Sequence, residues 1–409
     1  MSARDLAHAL RLLTAVAALA LASGCVSQTV KSTSVPPIET ATEPVPEYLL
    51  LDVGIAIFDP GLEELPDDDE MQVYPEVRKA EARFMPNQLA QAMQESGAWG
   101  AVRVVPDPER ISDLSVHGTI LHSDGEELQL QIVAVDSRGY EWLDKKYTGH
   151  ASAYAYRSTT RASYDPFQAV YNTIANDLLG KLSELRPGDR ENVRLVSELL
   201  FAQDFSPDAF DGYLARNPRD VYLVMRLPAE NDPMLERVRT LRERDHMYID
   251  TMQEYYNSFG NEMAGPYQEW RKLSYEEAMA LQALKAESRR RLIAGAVAVA
   301  AGIAGASSSD GNARAASNVA IIGGGYLLKS GLEKRNEAQI HVQAMEELGL
   351  SLEAEITPQV IELEDRSVTL QGNVEDQYAQ WRSLLADIYA TEIGSLEMPE
   401  ATRSQADTL

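Results

Sequence analysis

The sequence predicts an α+β protein: an N-terminal α/β sandwich-like domain, central long helices that include an apolar small-residue helical hairpin, and a small C-terminal ββα unit. Three observations predict it. Between residues 48 and 150 apolar side chains fall on alternate positions in short runs separated by Gly- and Asp-containing turns, the period of half-buried strands. From residue 167 they recur at three- and four-residue steps, the period of helices. Towards the C terminus two short alternating runs give way to one more helical run. With 409 residues, 44% of them hydrophobic, the chain has material for more than one core.

The chain opens with Arg4 and Arg11, followed by an apolar run over residues 12–22 that is too short to span a bilayer. Small residues then precede Cys25, the single cysteine of the sequence. This is the layout of a secretory signal peptide over residues 1–24. The stretch Leu21-Ala22-Ser23-Gly24-Cys25 resembles a bacterial lipobox. The resemblance implies cleavage before Cys25, a diacylglycerol on its thiol and an acylated amino terminus. The family prefers Leu three residues before the cysteine, whereas Ala22 stands there and Leu21 one place earlier, so cleavage by ordinary signal peptidase at a nearby small residue stays open. In such lipoproteins an Asp after the cysteine signals inner-membrane retention. Val26 occupies that place, which points to the outer membrane, with the protein facing the periplasm. Residues 25–47, rich in Ser, Thr, Pro and Glu, read as a lipidated cysteine and a flexible tether.

A domain is expected over residues 48–187. A strand over 48–58 places Leu49, Leu51, Val53, Ile55 and Ile57 on one face, and Asp59-Pro60-Gly61 ends it. An acidic loop follows, with Asp67-Asp68-Asp69-Glu70 in a row; it lacks the spaced oxygens and turn glycine of a calcium loop and reads as solvated. A helix runs over 88–96, with Pro86 at its start or kinking a longer helix from Glu76, and Gly97 is placed for a left-handed cap. Strands follow over 102–105, 114–121, 127–135 and 140–148, the last two joined by Asp136-Ser137-Arg138-Gly139. Phe167, Val170, Tyr171, Ile174, Leu178, Leu182 and Leu185 form the stripe of a closing helix that Arg186-Pro187-Gly188 stops.

Ser96-Gly97 after the helix, Gly118-Thr119-Ile120 in a strand, and Val135-Asp136 with Gly139 and Trp142 in a hairpin resemble the α/β domain shared by the curli-secretion channel lipoproteins, the N-terminal domain of TolB and auxiliary lipoproteins of envelope transport systems. The resemblance covers residues 48–150. It implies a scaffolding domain of envelope assemblies, with no catalytic residues to carry over.

Residues 188–291 read as a helical region. A short helix holds Leu195, Leu199 and Leu200, and a longer one after Asp232-Pro233 places Val238, Leu241, Tyr248, Met252 and Tyr255 on one face. An aromatic line of Tyr255, Tyr256, Phe259, Tyr267, Trp270 and Tyr275 lies around a break over 260–266 and is read as core. Arg237, Arg239, Arg242, Arg244 and Arg271 give this part a locally basic surface, free to pair with acids elsewhere in the chain.

Residues 292–328 read as the apolar hairpin. Ala294, Ala298, Gly302 and Ala306 repeat at four-residue intervals, as do Ala316, Ala320 and Gly324, and a polar turn over 307–312 separates the arms. Such rows let helix backbones approach closely, and they resemble glycine-zipper hairpins of envelope proteins. Arms of about 15 and 10 residues are shorter than the roughly 20 that cross a bilayer singly. Packing within the protein or an oligomer is the first reading, and membrane insertion, with Arg289-Arg290-Arg291 and Lys329 at the head groups, the second. A helix to Glu347 and a ββα unit make up residues 329–393. Strands are expected over 352–356, 359–363 and 367–370, the stretch ELEDRSVTLQGNVED over 362–376 is weakly similar to the strand-turn-strand entry of BON modules, and residues 394–409 form a disordered tail.

A formal net charge of −26 excludes nonspecific nucleic-acid binding, since the surface repels phosphate backbones. His117, His122, His150, His246 and His341 are scattered, and GxSxG, HExxH and GxxxxGK[ST] patterns are missing from the sequence. Gly323-Gly324-Gly325 lies in an apolar helical run, not between strand and helix as a phosphate loop would. No metal and no cofactor is therefore expected. The sequence points to a non-enzymatic outer-membrane lipoprotein for envelope assembly, scaffolding or transport, its expected associates being the membrane, further copies of itself or envelope proteins. A membrane-tethered periplasmic hydrolase is the alternative.

Overall fold

The computed structural model describes residues 26–31, 35–41, 44–63, 73–157, 165–304, 359–362 and 367–394, with further helical positions between 340 and 350. The protein is an α+β fold built on a six-stranded mixed sheet, and the expected ββα unit is present.

The sheet comprises β1 (Val26–Lys31), β2 (Val53–Ala56), β3 (Val102–Val105), β4 (Leu114–Ser123), β5 (Glu127–Asp136) and β6 (Glu141–His150), in the order β1-β6-β5-β4-β2-β3. β4, β5 and β6 form an antiparallel meander, while β2 pairs in parallel with both β4 and β3. Along β5, Leu128, Leu130, Ile132 and Ala134 are buried while the residues between them are half-buried, so one face is core and the other borders solvent. β2 is shorter than the expected 48–58 strand and buried at every position, because it lies between two neighbours.

Helix α1 (Pro75–Glu95) is one continuous helix with Pro75 in its first turn and Pro86 inside, which decides for the longer of the two expected forms. α2 (Gln168–Glu184) crosses the same face of the sheet, its Val170 seated on Gly149 of β6. α3 (Pro187–Phe205) starts almost at once, longer than the short helix expected. A small antiparallel hairpin then pairs β7 (Leu214–Arg216) with β8 (Tyr222–Val224).

The largest departure from expectation is α4 (Pro233–Ala304), a single helix of 72 residues. It passes without a break through 260–266, although Gly265-Pro266 lies within it. Pro266 forfeits one backbone hydrogen bond. Buried Met263, Tyr267 and Trp270 on either side hold the helix to the domain and offset that loss. Residue 292 is therefore not a boundary: Ala294, Ala298 and Gly302 lie in the last turns of α4. Ala306, Ala316, Ala320 and Gly324, with the expected turn and second arm, lie outside the described residues, as do Cys25, Asp67-Asp68-Asp69-Glu70, Gly323-Gly324-Gly325, His341 and the run over 352–356. No helix of the described residues is long and apolar enough to cross a membrane.

The tether expectation is also corrected. Val26–Lys31 is an edge strand running parallel to β6, with Val26 opposite Lys145 and Lys31 opposite His150. The chain then follows α2, where the side-chain amides of Asn172 and Asn176 donate to the carbonyls of Pro36 and Pro37 at 2.8 and 2.9 Å. Backbone pairing and two asparagines hold this stretch although its composition offers little to bury.

The C-terminal unit consists of β9 (Gln359–Glu362), β10 (Ser367–Leu370) and α5 (Val374–Gly394). It docks on the first half of α4, with Trp381 stacked on Tyr248 at 4.8 Å between ring centroids. The Arg382 guanidinium pairs with Asp204 of α3 and lies 4.6 Å from the Phe205 ring.

Candidate functional site: the seam under the long helix

The two ends of the sheet give α4 its direction. We call the β5–β6 turn, Asp136 to Tyr140, the proximal end, and the β4–β5 turn, Asp124 to Glu126, the distal end. Near the proximal end, Arg242 Nη2 donates to Ser197 Oγ at 3.0 Å and to Asp113 Oδ1 at 3.5 Å. Asp113 directly precedes β4, and its carbonyl accepts from the Ser137 amide. At mid-length Arg103 of β3 pairs with Asp250, and the Val104 amide donates to Gln253 Oε1 at 2.8 Å, which covers the β3 edge. At the distal end the Gly125 amide donates to Ser274 Oγ at 3.1 Å, and Gln282 donates to Glu126. α4 thus runs from the proximal to the distal end and continues for 22 residues, about 33 Å at 1.5 Å per residue.

The centre of the seam is polar and closed. Arg271 is 0% exposed and forms a bidentate pair with Asp165 at 2.9 and 2.8 Å, its guanidinium 3.7 Å from the Tyr267 ring centroid. Beside it Glu81 of α1, also 0% exposed, accepts from Ser123 Oγ and Tyr267 OH and lies 3.6 Å from Arg78 Nε. Burial raises the Glu81 carboxyl above its usual range, only partly offset by Arg78 and the two hydroxyls. Burial likewise raises Tyr171 and Tyr267.

An acid with a raised pKa beside two hydroxyls has the composition of a general-acid site. Here it is walled in. Two surface grooves among the described residues, one of about 370 Å³ lined by Arg138, Tyr140, Trp142, Lys181 and neighbours, the other of about 430 Å³ between β10 and α5, do not include Glu81, Tyr267 or Arg271, each 0% exposed. What these groups do in this geometry is fasten α4 to α1, to β4 and to the segment before α2. Each charge has its counter-charge and the fork of Arg271 fits one carboxylate.

The arginines expected to make a basic surface are largely consumed in this way. Arg239 pairs with Glu198 and Glu236, Arg242 with Asp113, and Arg271 with Asp165. The expected pairing with acids holds, but Arg271 is not on the surface at all. The aromatic line is core, as expected: Tyr256, Phe259, Tyr267 and Trp270 are buried. Glu81, Asp165 and Asp113 were not singled out in the sequence, because each acts through a partner far away in the chain.

The histidines do not converge. His122 lies 3.0 Å from Asp124 within the β4–β5 turn, and His150 4.0 Å from Glu127 across the β5–β6 ladder. His117 and His246 lie on β4 and α4. Among the described residues no three His, Cys, Asp or Glu side chains are grouped to hold a metal ion.

The residues that carried the family resemblance have structural tasks. Gly97 adopts φ +63° as the left-handed cap of α1, and Ser96 Oγ donates to the Met93 carbonyl at 2.7 Å. Asp136 accepts from the Arg138 and Tyr140 amides and from Trp142 Nε1 at 2.9 Å, so one carboxylate shapes the turn and seats the indole. A side chain at Gly118 would meet the Phe58 ring at 2.6 Å. Compared with known proteins, the chain matches no family model, no curated protein and no solved structure.

Proposed function

We propose that this chain is a bacterial envelope lipoprotein, anchored through Cys25 in the outer membrane and facing the periplasm, and that it works as a non-enzymatic scaffold for assembly or transport. The observation that carries the scaffold reading is α4, fastened along the domain by ion pairs and hydrogen bonds and carried about 33 Å past its last described contact. A helix held so rigidly at its base is suited to presenting its far end to something else. That end holds Ala294, Ala298 and Gly302, small residues that suit close packing against a second copy or an envelope partner. The turn and core roles of Gly97, Gly118, Asp136 and Trp142 support kinship with the scaffold domains named above. Lipid anchoring is supported by the single cysteine at the end of the apolar run, since more than one acyl chain gives stable attachment.

The experiment is Cys25→Ala in the producing bacterium, with fractionation and intact-mass measurement. Wild type should appear in the outer-membrane fraction with acyl mass added at Cys25, and the variant as soluble periplasmic protein. An unmodified wild-type cysteine, or a variant that stays in the membrane after carbonate washing, overturns the anchor. Light scattering of detergent-extracted protein then separates a self-assembling scaffold from a monomer that needs other partners.

A further inference from the structure

The β7–β8 hairpin displays apolar side chains to solvent. Leu223, Met225 and Leu227 are 45, 63 and 68% exposed; Leu223 lies in β8, Met225 extends its pairing with the Tyr213 carbonyl, and Leu227 follows a bend at Arg226. Single exposed apolar residues are ordinary, but three within five residues form a patch. Arg216, Arg219 and Arg226 are exposed on the same hairpin, where Asp220, paired with Arg216 at 2.6 Å, is the only acid between residues 213 and 227. A net charge of +2 over these residues stands against −26 for the whole chain.

The hairpin is fixed in place. The Tyr222 amide donates to the Arg138 carbonyl at 2.7 Å, and the Met225 amide to the Tyr213 carbonyl at 2.8 Å. Asn217 Oδ1 accepts from the Arg219 and Val221 amides, and the Arg226 guanidinium lies 4.0 Å from the Tyr213 ring centroid. Contact with Arg138 puts the patch at the proximal end of the sheet. Tyr140, 47% exposed, belongs to the same end.

A second observation points to what covers this end. β1 runs parallel to β6, from Val26 opposite Lys145 towards His150 at the distal end, so Val26 is the end of β1 nearer the proximal side. Cys25 is the preceding residue of the sequence, so on the anchor reading the lipid joins the chain one residue before β1. Lys145 is four residues from the start of β6, about 13 Å from the proximal end at 3.3 Å per residue.

We propose that the proximal end is a membrane-contact surface, with Leu223, Met225 and Leu227 seated among the head groups and Arg219 and Arg226 on the phosphates of anionic phospholipid. The contact is carried by the hairpin itself; its orientation to the cell's own membrane rests on the anchor reading above. Seated in this way, the domain turns the far end of α4 away from the bilayer that holds Cys25.

The test uses the full mature chain with Cys25→Ser, which removes both the acyl anchor and the only cysteine. Met225→Cys at the proximal end and Glu126→Cys at the distal end are each labelled with an environment-sensitive fluorophore. Each is titrated at low salt with phosphatidylethanolamine–phosphatidylglycerol vesicles or with phosphatidylcholine alone. The Met225 label should shift to the blue on anionic vesicles, and the Glu126 label should not. Without labels, Leu223→Asp/Met225→Asp/Leu227→Asp should weaken partition about tenfold or more, and Arg219→Glu should weaken it several-fold in a salt-dependent way. Circular dichroism shows whether each variant is folded, and Arg219→Glu alone carries the test where the triple variant is not.

Absent vesicle binding, or binding with a silent Met225 label, overturns the proposal. So does a triple variant that keeps its vesicle affinity but loses an envelope protein partner, since the patch is then a protein interface. Intact mass of the native chain keeps the two readings apart. An unacylated Cys25 with a responding hairpin sinks the anchor alone, and an acylated Cys25 with a silent hairpin sinks the membrane contact alone.

Discussion

Arg271 and Asp165, 106 residues apart in sequence, meet in a bidentate ion pair through which α4 holds the segment leading into α2. The guanidinium is fully buried, with Tyr267, Phe84 and Phe167 around it. Removing it leaves Asp165, whose side chain is only 7% exposed, without this counter-charge. We expect Arg271→Met to cost about 3–5 kcal/mol in urea unfolding. Arg271→Lys should recover only part of this, because an ammonium cannot match both oxygens and the aromatic faces at once. A loss below 1 kcal/mol for Arg271→Met would show that the pair does not hold the seam.

Gly125 sits where the β4–β5 turn touches α4. A Cβ there would lie 1.9 Å from the Arg271 carbonyl oxygen and 2.2 Å from the Tyr275 nitrogen, both backbone atoms of a rigid helix. Neither can yield as a side chain would. Gly125→Ala should therefore push the turn off the helix and cost at least about 1–3 kcal/mol, with faster amide exchange at Ser274 and its neighbours. Gly180, whose Cβ would meet nothing, is the control position, and Gly180→Ala should be neutral or stabilising. Equal stability of the two variants would mean that the close approach is not maintained in solution.

The parts of this fold that can be read from sequence are those whose residues carry their own period. β3 and β10 appear with the expected bounds because Val102 to Val105 and Ser367 to Leu370 have clear local patterns. β1 is illegible for the opposite reason: Val-Ser-Gln-Thr-Val-Lys has no sustained alternation of apolar residues, and its pairing comes from the free edge of β6. β7 and β8 are three residues each, too short to show alternation. In α4 the local signal was misleading, since Gly260, Gly265 and Pro266 suggest a break. Gly260 instead gives room for Asn87 of α1, whose side-chain nitrogen would lie 2.6 Å from a Cβ. The seam was beyond reach because Glu81, Asp165 and Arg271 sit on three separate segments that only the fold brings together.

Glu81 makes stability depend on pH with a definite sign. Burial raises its carboxyl above the ordinary 4.5, so the folded chain holds this proton more tightly than the unfolded one. The stabilisation is fully present below pH 4.5 and is lost as pH rises through the folded pKa. Glu81→Gln keeps the site neutral at every pH. Its unfolding free energy relative to wild type should therefore improve as pH rises from 4.5 through the folded pKa and level off above it. A difference that stays constant over that range would mean that Glu81 titrates in the folded protein as it does in the unfolded chain.

His246, on α4, gives the opposite slope. Burial, and then the positive charges of Arg110, Arg242 and Arg103, push its imidazole from 6.5 down to about 2. Asp245, next in the chain, does not relieve this, because its carboxylate is engaged by Arg110 at 3.0 Å. The folded chain thus binds fewer protons at this position than the unfolded chain does. Its contribution is fully present above pH 6.5 and is lost as pH falls towards the folded value, at no more than about 1.4 kcal/mol per pH unit. His246→Gln, which cannot acquire a proton in either state, should remove that slope. Urea midpoints for wild type and variant at pH 7.5, 6.5, 5.5 and 4.5 should converge, or cross in favour of Gln, as the solution becomes acidic. Parallel midpoints across the series would show that the imidazole escapes the three arginines by swinging out to solvent.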